Sequence, residues 1–155
     1  MNSTEANDEY WMQFAYEQAA LAASEDEIPV GAVIVSQGKV IGAGYNAPIK
    51  LSDPTAHAEI QALRSACQAI DNYRLPDDAT LYVTLEPCTM CAGAISNARI
   101  ARVIYGAKDE KTGAIDSGVR FFDSPSCHHR PEIISGILSE ECGENLKNFF
   151  KSKRN

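Results

Sequence analysis

The sequence predicts a single α/β domain, residues 1–155, built around a mixed β-sheet. Segments with helical spacing of apolar residues alternate with short runs rich in β-branched residues. Two of these runs are joined by a short turn, which predicts an antiparallel hairpin, and two later ones are separated by a helix, which predicts a parallel pair. With 45% hydrophobic residues, the chain can bury one substantial core.

The first predicted elements are a helix and a hairpin. Apolar residues recur at helical spacing over 9–23, and Asp8 just before them is the expected N-cap. Residues 30–35 are rich in β-branched side chains, Gln37-Gly38 supplies a turn, and 39–45 form a second extended run. We expect these two runs to pair antiparallel.

A second helix is predicted to begin at Asp53-Pro54. Aspartate is a favourable N-cap and proline is favourable at the first helical position. Apolar residues then continue at spacings of three or four: Ile60, Leu63, Cys67 and Ile70. This arrangement places His57 and Glu59 in the opening turns of the helix.

The following elements predict a parallel unit and a closing helix. A buried strand over 81–85 leads into a short helix with Cys88 and Cys91, and strand character returns over 102–105. The connector over 107–131 is longer than a typical loop, which favours a functional surface segment. A last strand is predicted over 132–138, and an amphipathic helix follows Ser139.

The composition favours a cytoplasmic protein without disulfides. Five cysteines cannot all pair, and the two closest ones have metal-ligand spacing. No apolar run approaches the roughly 20 residues that cross a bilayer, so no membrane partner is expected. The polar, acidic start over 1–9 has no signal-peptide pattern.

The charge is segregated along the chain. A net charge of −7 argues against nonspecific nucleic-acid binding, because phosphate neutralisation normally needs a basic face. The last residues nevertheless carry only basic charges: Lys147, Lys151, Lys153 and Arg154. They fit either a local RNA-binding patch or a cationic last helical turn that complements the helix dipole.

Four side chains combine into a pattern for hydrolytic zinc chemistry. His57, Cys88 and Cys91 supply three metal ligands, and a catalytic zinc site uses three protein ligands and leaves the fourth position to water. The two cysteines lie three apart at a helix start, where the thiolate is favoured. Glu59, two residues after His57, remains free to carry protons.

Each half of this pattern has another interpretation. Cys88-x-x-Cys91 alone also fits a redox pair or half of a structural zinc knuckle. His57 and Glu59 alone fit a capping group and a favourable first-turn acid. The combination, with proline before the first cysteine, favours one catalytic zinc ion (Zn2+) per subunit.

At these residues the chain resembles the cytidine deaminase-like superfamily and, within it, the bacterial tRNA-specific adenosine deaminases. The likeness spans nearly the whole chain. The H-x-E and P-C-x-x-C motifs identify the superfamily. Further stretches narrow the resemblance to the tRNA deaminases: PVGAV at 29–33, DPTAHAEI at 53–60, YRL at 73–75, LYVTLEPCTMCAGA at 81–94, GAKD and KTG within 106–113, and FF at 149–150.

The resemblance implies a three-layer α/β/α sandwich around a five-stranded mixed sheet, and a homodimer with the active site near the dimer interface. It also implies that Asn46 contacts the flipped base or ribose and that the backbone amide of Ala58 helps to read the purine. Ile28, Val30 and His57 are expected to line the base slot. On the residue pattern alone, Asn46 also fits a turn before Pro48.

Two further positions match RNA contacts of the family. Phe149, with the basic residues near it, resembles part of a C-terminal RNA-contact helix, although core packing is the stronger interpretation of a phenylalanine on sequence grounds. Asp109 matches a loop near the substrate backbone and fits a turn residue equally well. The expected partner is a tRNA anticodon loop.

The implied reaction is hydrolytic deamination of the wobble adenosine of an arginine tRNA (tRNA-Arg) to inosine. Zinc would activate a water molecule, and Glu59 would carry its proton to adenine N1 and then to the leaving amine. One rival is another deaminase of the superfamily, acting on guanine, cytosine, a cytidine nucleotide or a pterin-like precursor. The other is a structural zinc module that binds RNA or acts as a scaffold without catalysis.

Overall fold

The computed structural model describes residues 3–154 of the chain. They form five strands, five α-helices and one short 3-10 helix over Phe121–Asp123. In chain order the main elements are α1 (Ser3–Ser24), β1 (Gly31–Ser36), β2 (Lys39–Tyr45), α2 (Pro48–Leu51), α3 (Ala58–Ile70), β3 (Thr80–Leu85), α4 (Thr89–Ala98), β4 (Arg102–Ala107), β5 (Glu132–Ser135) and α5 (Ser139–Arg154).

The strands form one mixed sheet in the order β2-β1-β3-β4-β5. β1 pairs antiparallel with both β2 and β3, whereas β3, β4 and β5 run parallel. Helices cover both faces, so the prediction of a five-stranded α/β/α fold is confirmed. The parallel strands bring their carboxyl ends to one edge of the sheet, where the helix that follows β3 begins.

Each face of the sheet has its own apolar cluster. On one face, Met12 and Ala15 of α1 pack on Val33, Tyr82 and Ile104, and α5 joins this side where Cys142 lies over Gly106. On the other face, α3 and α4 cover a larger cluster that contains Ala32, Ile34, Ala62, Leu63, Leu81, Val83, Ile95, Val103 and Tyr105. The alternation of neighbouring strand residues between the two clusters is the period of a β-strand.

The predicted N-cap of the first helix is wrong. Helix α1 already begins at Ser3, upstream of Asp8, so Asp8 is not its N-cap. The Asp8 carboxylate is instead 1% exposed and accepts hydrogen bonds from the Tyr82 hydroxyl at 2.8 Å and from Arg102 Nη2 at 3.1 Å. The buried carboxylate of Asp8 therefore pairs with the partly exposed guanidinium of Arg102.

The predicted start of the second helix is also wrong, because α3 begins at Ala58 and not at Pro54. Asp53 caps a turn: its Oδ1 accepts hydrogen bonds from the amide of Thr55 at 2.9 Å and from its hydroxyl at 2.7 Å. The short-range bonding that makes aspartate an N-cap serves a turn equally well. His57, in extended conformation, is the actual N-cap residue.

The segment before that turn holds α2, which the sequence interpretation left unassigned. Its amides are held by Glu27, a carboxylate that is 2% exposed. Glu27 accepts hydrogen bonds from the backbone amides of Lys50 at 2.7 Å and Ile49 at 3.3 Å. A buried acid from the loop after α1 therefore fixes the chain that follows β2.

Helix α3 lies directly on the backbone of β2. A Cβ atom at Gly44 would lie 2.5 Å from the amide nitrogen of Ala62 and 2.7 Å from the carbonyl oxygen of Ala58. A Cβ atom at Gly42 would lie 2.6 Å from the Ala62 carbonyl oxygen. Glycine at these positions is what permits so close an approach of helix and strand.

The last strand is shorter than expected, whereas the closing helix agrees with the prediction. The strand predicted over 132–138 ends at Ser135, since Gly136 and Leu138 adopt left-handed backbone conformations. Helix α5 then follows to Arg154, as expected. None of the helices within residues 3–154 is both long and apolar enough to span a bilayer.

Candidate metal and substrate site

Three potential metal ligands converge where β3 ends. His57 Nδ1 lies 3.5 Å from Cys88 Sγ and 3.5 Å from Cys91 Sγ. The ligand atoms of all three residues lie within 4.8 Å of one another. The structure thus brings together the three side chains that the spacing predicts as ligands.

Two helix N-termini point at this cluster. His57 is the N-cap residue of α3 and Cys88 that of α4, and both have extended backbone conformations. Cys91 lies in the first turn of α4. The partial positive charge of a helix N-terminus stabilises thiolates, so the backbone itself favours anionic sulfur here.

The protonation of the cluster is coupled. A hydrogen bond from the Cys91 thiol, together with the neighbouring His57, lowers the pKa of Cys88 to about 4. Donating that bond to Cys88, and burial, raise the pKa of Cys91 far above its ordinary value. The hydrogen bond with Cys88 raises the pKa of His57. In the metal-free protein one thiolate is therefore formed, and a divalent cation must displace a proton from the second sulfur.

The donor set fits zinc. Two thiolates and one imidazole are ligands that zinc favours, and three protein ligands correspond to an open catalytic site. Among the residues that the structure describes, this is the cluster of histidine, cysteine and acidic side chains whose spacing would hold a metal ion. Cys142, by contrast, is the buried residue of α5 and lies against Gly106, and Cys67 lies on α3 near Tyr73.

Glu59 lies behind the ligands in the first turn of α3. Its side chain is only 4% exposed and lies beside Cys91. Burial raises its pKa from an ordinary value of 4.5 to about 7, an effect that the nearby Cys88 thiolate strengthens. A carboxyl group with that pKa can both accept and donate a proton near neutral pH.

A cavity of about 1070 Å³ opens onto this cluster. Its inner wall includes most of the residues predicted for the site: Ile28, Val30, Asn46, His57, Glu59, Cys88 and Asp109. Cys91 and Ala58 are buried behind this wall. Ala58 is the first residue of α3, where backbone amides lack partners within the helix. The volume is sufficient for a nucleoside-sized ligand.

The slot beside the metal-ligand cluster is lined by the apolar side chains of Ile28 and Val30 and by the side-chain amide of Asn46. Val30 is 7% and Asn46 8% exposed. The backbone amide of Asn46 donates a hydrogen bond to the Val30 carbonyl at 3.0 Å, which joins the two segments. Ile28 lies nearer the mouth, with 38% of its surface exposed. An apolar slot with one convergent amide suits a flat heterocycle that carries polar edges.

Asp109 and Phe149 behave differently from the rest. Asp109 lines the cavity, but its carboxylate makes a turn by accepting hydrogen bonds from the amides of Lys111 at 3.1 Å and Thr112 at 3.0 Å. Phe149 is half-buried and stacks edge-on against Phe150, and Phe150 is the one that lines the cavity. The sequence does not show which of the two rings is exposed, because this depends on the rotation of α5 about its axis.

A ring of basic side chains surrounds the cavity mouth. These are Lys108, Lys111, Lys147, Lys153 and Arg154, the first two from the loop after β4 and the others from α5. Lys153 also lies over the Phe149 ring and forms an ion pair with Asp26. In a protein with a net charge of −7, this local concentration of cations favours an anionic ligand at the mouth.

Three cavity residues are not identified by the sequence: Glu86, Lys108 and Lys111. Glu86 stands between a predicted strand and the first cysteine, and an acid between a buried strand and a proline is the one unusual feature there. Lys108 and Lys111 stand out only as part of a family motif. No sequence spacing identifies these lysines as cavity residues, because the conformation of the loop determines which side chains line the cavity.

Comparisons with known proteins agree with this geometry. The family model of the MafB19-like deaminases matches residues 6–154. The tRNA-specific adenosine deaminase of Agrobacterium fabrum is 53% identical over 145 residues, which cover 94% of this chain and 95% of that protein.

Solved structures show the same fold. One, a tRNA deaminase of A-to-I editing at the wobble position of transfer RNA, matches with a TM-score of 0.86 and 53% identity, covering 88% of this chain and 99% of that one. A guanine deaminase from Nitrosomonas europaea matches with a TM-score of 0.74 over 91% of this chain and 83% of its own. At 22% identity, that second likeness concerns the fold alone.

Proposed function

The chain belongs to the MafB19-like deaminases and, among them, to the tRNA-specific adenosine deaminases, and from this premise we propose that it converts the wobble adenosine of a tRNA anticodon to inosine. The observation that carries the proposal is the pairing of His57, Cys88 and Cys91 with a buried acid, Glu59, at the end of a cavity with a basic mouth. A purely structural zinc module needs neither the acid nor the cavity.

His57, Cys88 and Cys91 would hold a zinc ion. When bound, zinc supplies a water molecule acidic enough to lose a proton near pH ~7. The two helix N-termini favour anionic sulfur, and the N-cap position of His57 places its ring 3.5 Å from each sulfur. The protein's own contribution at this point is to arrange three donors and leave the cavity side open.

Glu59 moves the protons. Its carboxylate accepts a proton from the attacking water and delivers it to N1 of adenine while the oxygen bonds to C6. It then accepts the remaining proton from the new C6 hydroxyl and passes it to the exocyclic nitrogen, so the C6–N bond breaks, the C6 carbonyl forms and ammonia leaves. Its raised pKa, about 7, matches both roles because neither protonation state is strongly favoured at neutral pH.

The slot residues would orient the base. We assign the flat faces of adenine to Ile28 and Val30, and its polar edge to the Asn46 side chain and the Ala58 amide. The backbone of Asn46 is held by its hydrogen bond to Val30, and the residue is 8% exposed, so its position beside the slot is defined by the fold. The base must leave its stack to enter, which costs least in a single-stranded loop.

The basic mouth would bind the RNA backbone. Lys108 and Lys111 on one side and the end of α5 on the other are placed to contact phosphates on both sides of a flipped nucleotide. Asp109 shapes the first of these segments, and Phe149 stacks beneath Lys153 in the second. We propose the anticodon loop of an arginine tRNA as the substrate, and hence the cytoplasm as the site of action.

We also propose a homodimer with the site close to its interface. Support comes from apolar side chains exposed on α2, Ile49 at 77% and Leu51 at 47%, immediately beyond the cavity residue Pro48. Exposed apolar groups of this kind are typical of protein contacts. Light scattering of the zinc-loaded protein should give twice the mass of one chain.

One assay tests the function against its rivals. The zinc-loaded protein is incubated with an arginine anticodon stem-loop, a stem-loop with guanosine at the wobble position, free adenosine, guanine and cytidine. We expect inosine in the first RNA alone, detected by nuclease digestion and mass spectrometry. Xanthine from guanine or uridine from cytidine would instead support another deaminase of the superfamily. No product with any substrate would favour the structural zinc module.

A further inference from the structure

Glu86 is a buried carboxylate that the proposed chemistry does not use. It follows β3 directly and is only 2% exposed. Its Oε2 accepts hydrogen bonds from three consecutive backbone amides, those of Ile115 at 3.1 Å, Asp116 at 3.0 Å and Ser117 at 3.0 Å. Such a nest of amides is the usual way in which backbone binds an anion.

The second oxygen of Glu86 holds the other end of the same loop. Oε1 accepts hydrogen bonds from the Asp109 amide at 3.0 Å and from the Ser117 hydroxyl at 3.0 Å. The loop wraps so closely that a Cβ atom at Gly113 would lie 2.6 Å from Glu86 Cδ. One carboxylate therefore closes residues 109–117 into a compact arch.

This arch joins the metal ligands to the cavity mouth. Gly113 forms an isolated antiparallel bridge with Cys88, and the Ala114 amide donates to the Pro87 carbonyl at 2.9 Å. On its outer side the arch presents Lys111 and Thr112 to the cavity, next to Lys108. Release of the arch would thus move basic side chains at the mouth.

We propose that Glu86 is a positioning residue that holds residues 109–117 as the RNA-facing wall of the cavity, and so sets the KM for RNA while leaving the chemical step to others. This role rests on the proposed function. Glu86 lines the cavity, but every hydrogen-bond partner of its carboxylate belongs to the arch. Interactions that equally favour bound substrate and transition state change KM with little effect on kcat.

The variant Glu86→Gln tests the role with almost no change of volume. Placed at Oε2, the new NH2 group faces three N–H donors, and placed at Oε1 it faces the Asp109 amide. Either orientation opposes donor to donor, so part of the arch is released. Asp8→Asn is the matched control: it also alters a buried, hydrogen-bonded carboxylate, but one bonded to Arg102 at the amino end of β4, whereas Glu86 follows the carboxyl end of β3.

Hydrogen exchange and kinetics give independent readouts on the zinc-loaded protein. In Glu86→Gln we expect amides of 109–117 to exchange about tenfold faster. We expect the KM for the arginine anticodon stem-loop to rise about tenfold while kcat stays within about threefold. Zinc content should equal that of the wild type. Asp8→Asn should leave the exchange of 109–117 and the KM unchanged.

A milder variant guards against misfolding. Ser117→Ala removes one of the five hydrogen bonds to Glu86, and we expect a KM rise of about threefold in the same direction. Unchanged exchange in Glu86→Gln, or a fall in kcat with constant KM, would overturn the proposal. Wild-type protein that forms no inosine in the stem-loop would refute the proposed function, and the exchange rates would still decide whether Glu86 holds the arch.

Discussion

His57 Nδ1 lies 3.5 Å from Cys91 Sγ, although 34 residues separate them in the chain. The contact exists because α3 and α4 both start at the same edge of the sheet. His57, the N-cap residue of α3, thus faces the first turn of α4. Cys88 is the third residue of the cluster. The chemistry at this edge depends on two helices keeping their relative positions.

This cluster should bind one zinc ion per chain. Cys88→Ala removes a thiolate whose pKa is lowered to about 4, and we expect the purified protein to lose its zinc. Cys142→Ala changes a cysteine buried away from the cluster and should retain a full equivalent. Metal analysis by mass spectrometry decides between them. Full zinc content in Cys88→Ala would show that the ligand set is wrong.

Loss of the Glu59 carboxylate should abolish turnover without releasing the metal. Because Glu59 handles both proton transfers, we expect Glu59→Gln to lower kcat about 1000-fold. The assay is inosine formation in the arginine anticodon stem-loop. Glu110→Gln, an exposed carboxylate at the same cavity, should stay within about twofold of the wild type. Substantial turnover by Glu59→Gln would remove it as the proton carrier.

The metal-free protein should lose stability as Glu59 ionises. The pKa of Glu59 is raised from 4.5 to about 7 in the folded state, so its stabilising contribution is fully present below pH 4.5 and is lost as the pH rises through about 7. Relative to Glu59→Gln, the chelator-treated wild type should become less stable by about 3 kcal/mol across this window.

Urea unfolding of both proteins at several pH values measures this difference. Cys88, whose pKa is lowered, gives the opposite trend, but it is present in both proteins and so the comparison isolates Glu59. A stability difference that does not change between pH 4.5 and about 7 would contradict the raised pKa.

The ion pair that replaces the expected N-cap should matter for stability. Asp8→Asn removes the charge that compensates Arg102, and we expect the free energy of unfolding to fall by about 2–4 kcal/mol. Glu132 also pairs with Arg102 but is 64% exposed, so Glu132→Gln should cost less than about 1 kcal/mol. Equal effects in urea unfolding would show that burial does not distinguish the two acids.

Binding of RNA should depend on salt through the mouth lysines. The double variant Lys108→Ala and Lys111→Ala removes two cations from the cavity rim. We expect the slope of log affinity against log salt to become less negative by about 1–2. Lys39→Ala alters an exposed lysine on the hairpin and should keep the wild-type slope. The same slope in all three proteins would exclude rim contacts with phosphate.

The strands and the ligand cluster could be predicted from sequence because local patterns determine them. Residues 30–35 are rich in β-branched side chains, and a turn and a second extended run follow them. Cys88 and Cys91 have a spacing that only a few kinds of site use. His57 joined them because a helix start and a strand end meet at one sheet edge. These inferences needed no knowledge of side-chain packing.

The errors concern acids whose hydrogen-bond partners the sequence does not identify. Asp8 and Asp53 were both expected to cap helices, and one pairs with Arg102 across 94 residues while the other closes a turn. Glu86 was overlooked because its partners lie 23 to 31 residues further along. Carboxylates accept hydrogen bonds from any correctly placed donor, so local sequence does not decide which donor the fold provides.

The bare backbone of Gly44 has a consequence for the evolution of this protein. A methyl group there would wedge α3 outward, since its Cβ would lie 2.5 Å from Ala62. His57 and Glu59 would travel together as one rigid piece, while both sulfurs stayed behind with α4. A single change at a strand position outside the cavity lining would thus disturb metal coordination. Selection for catalysis therefore also constrains a residue that has no part in the chemistry.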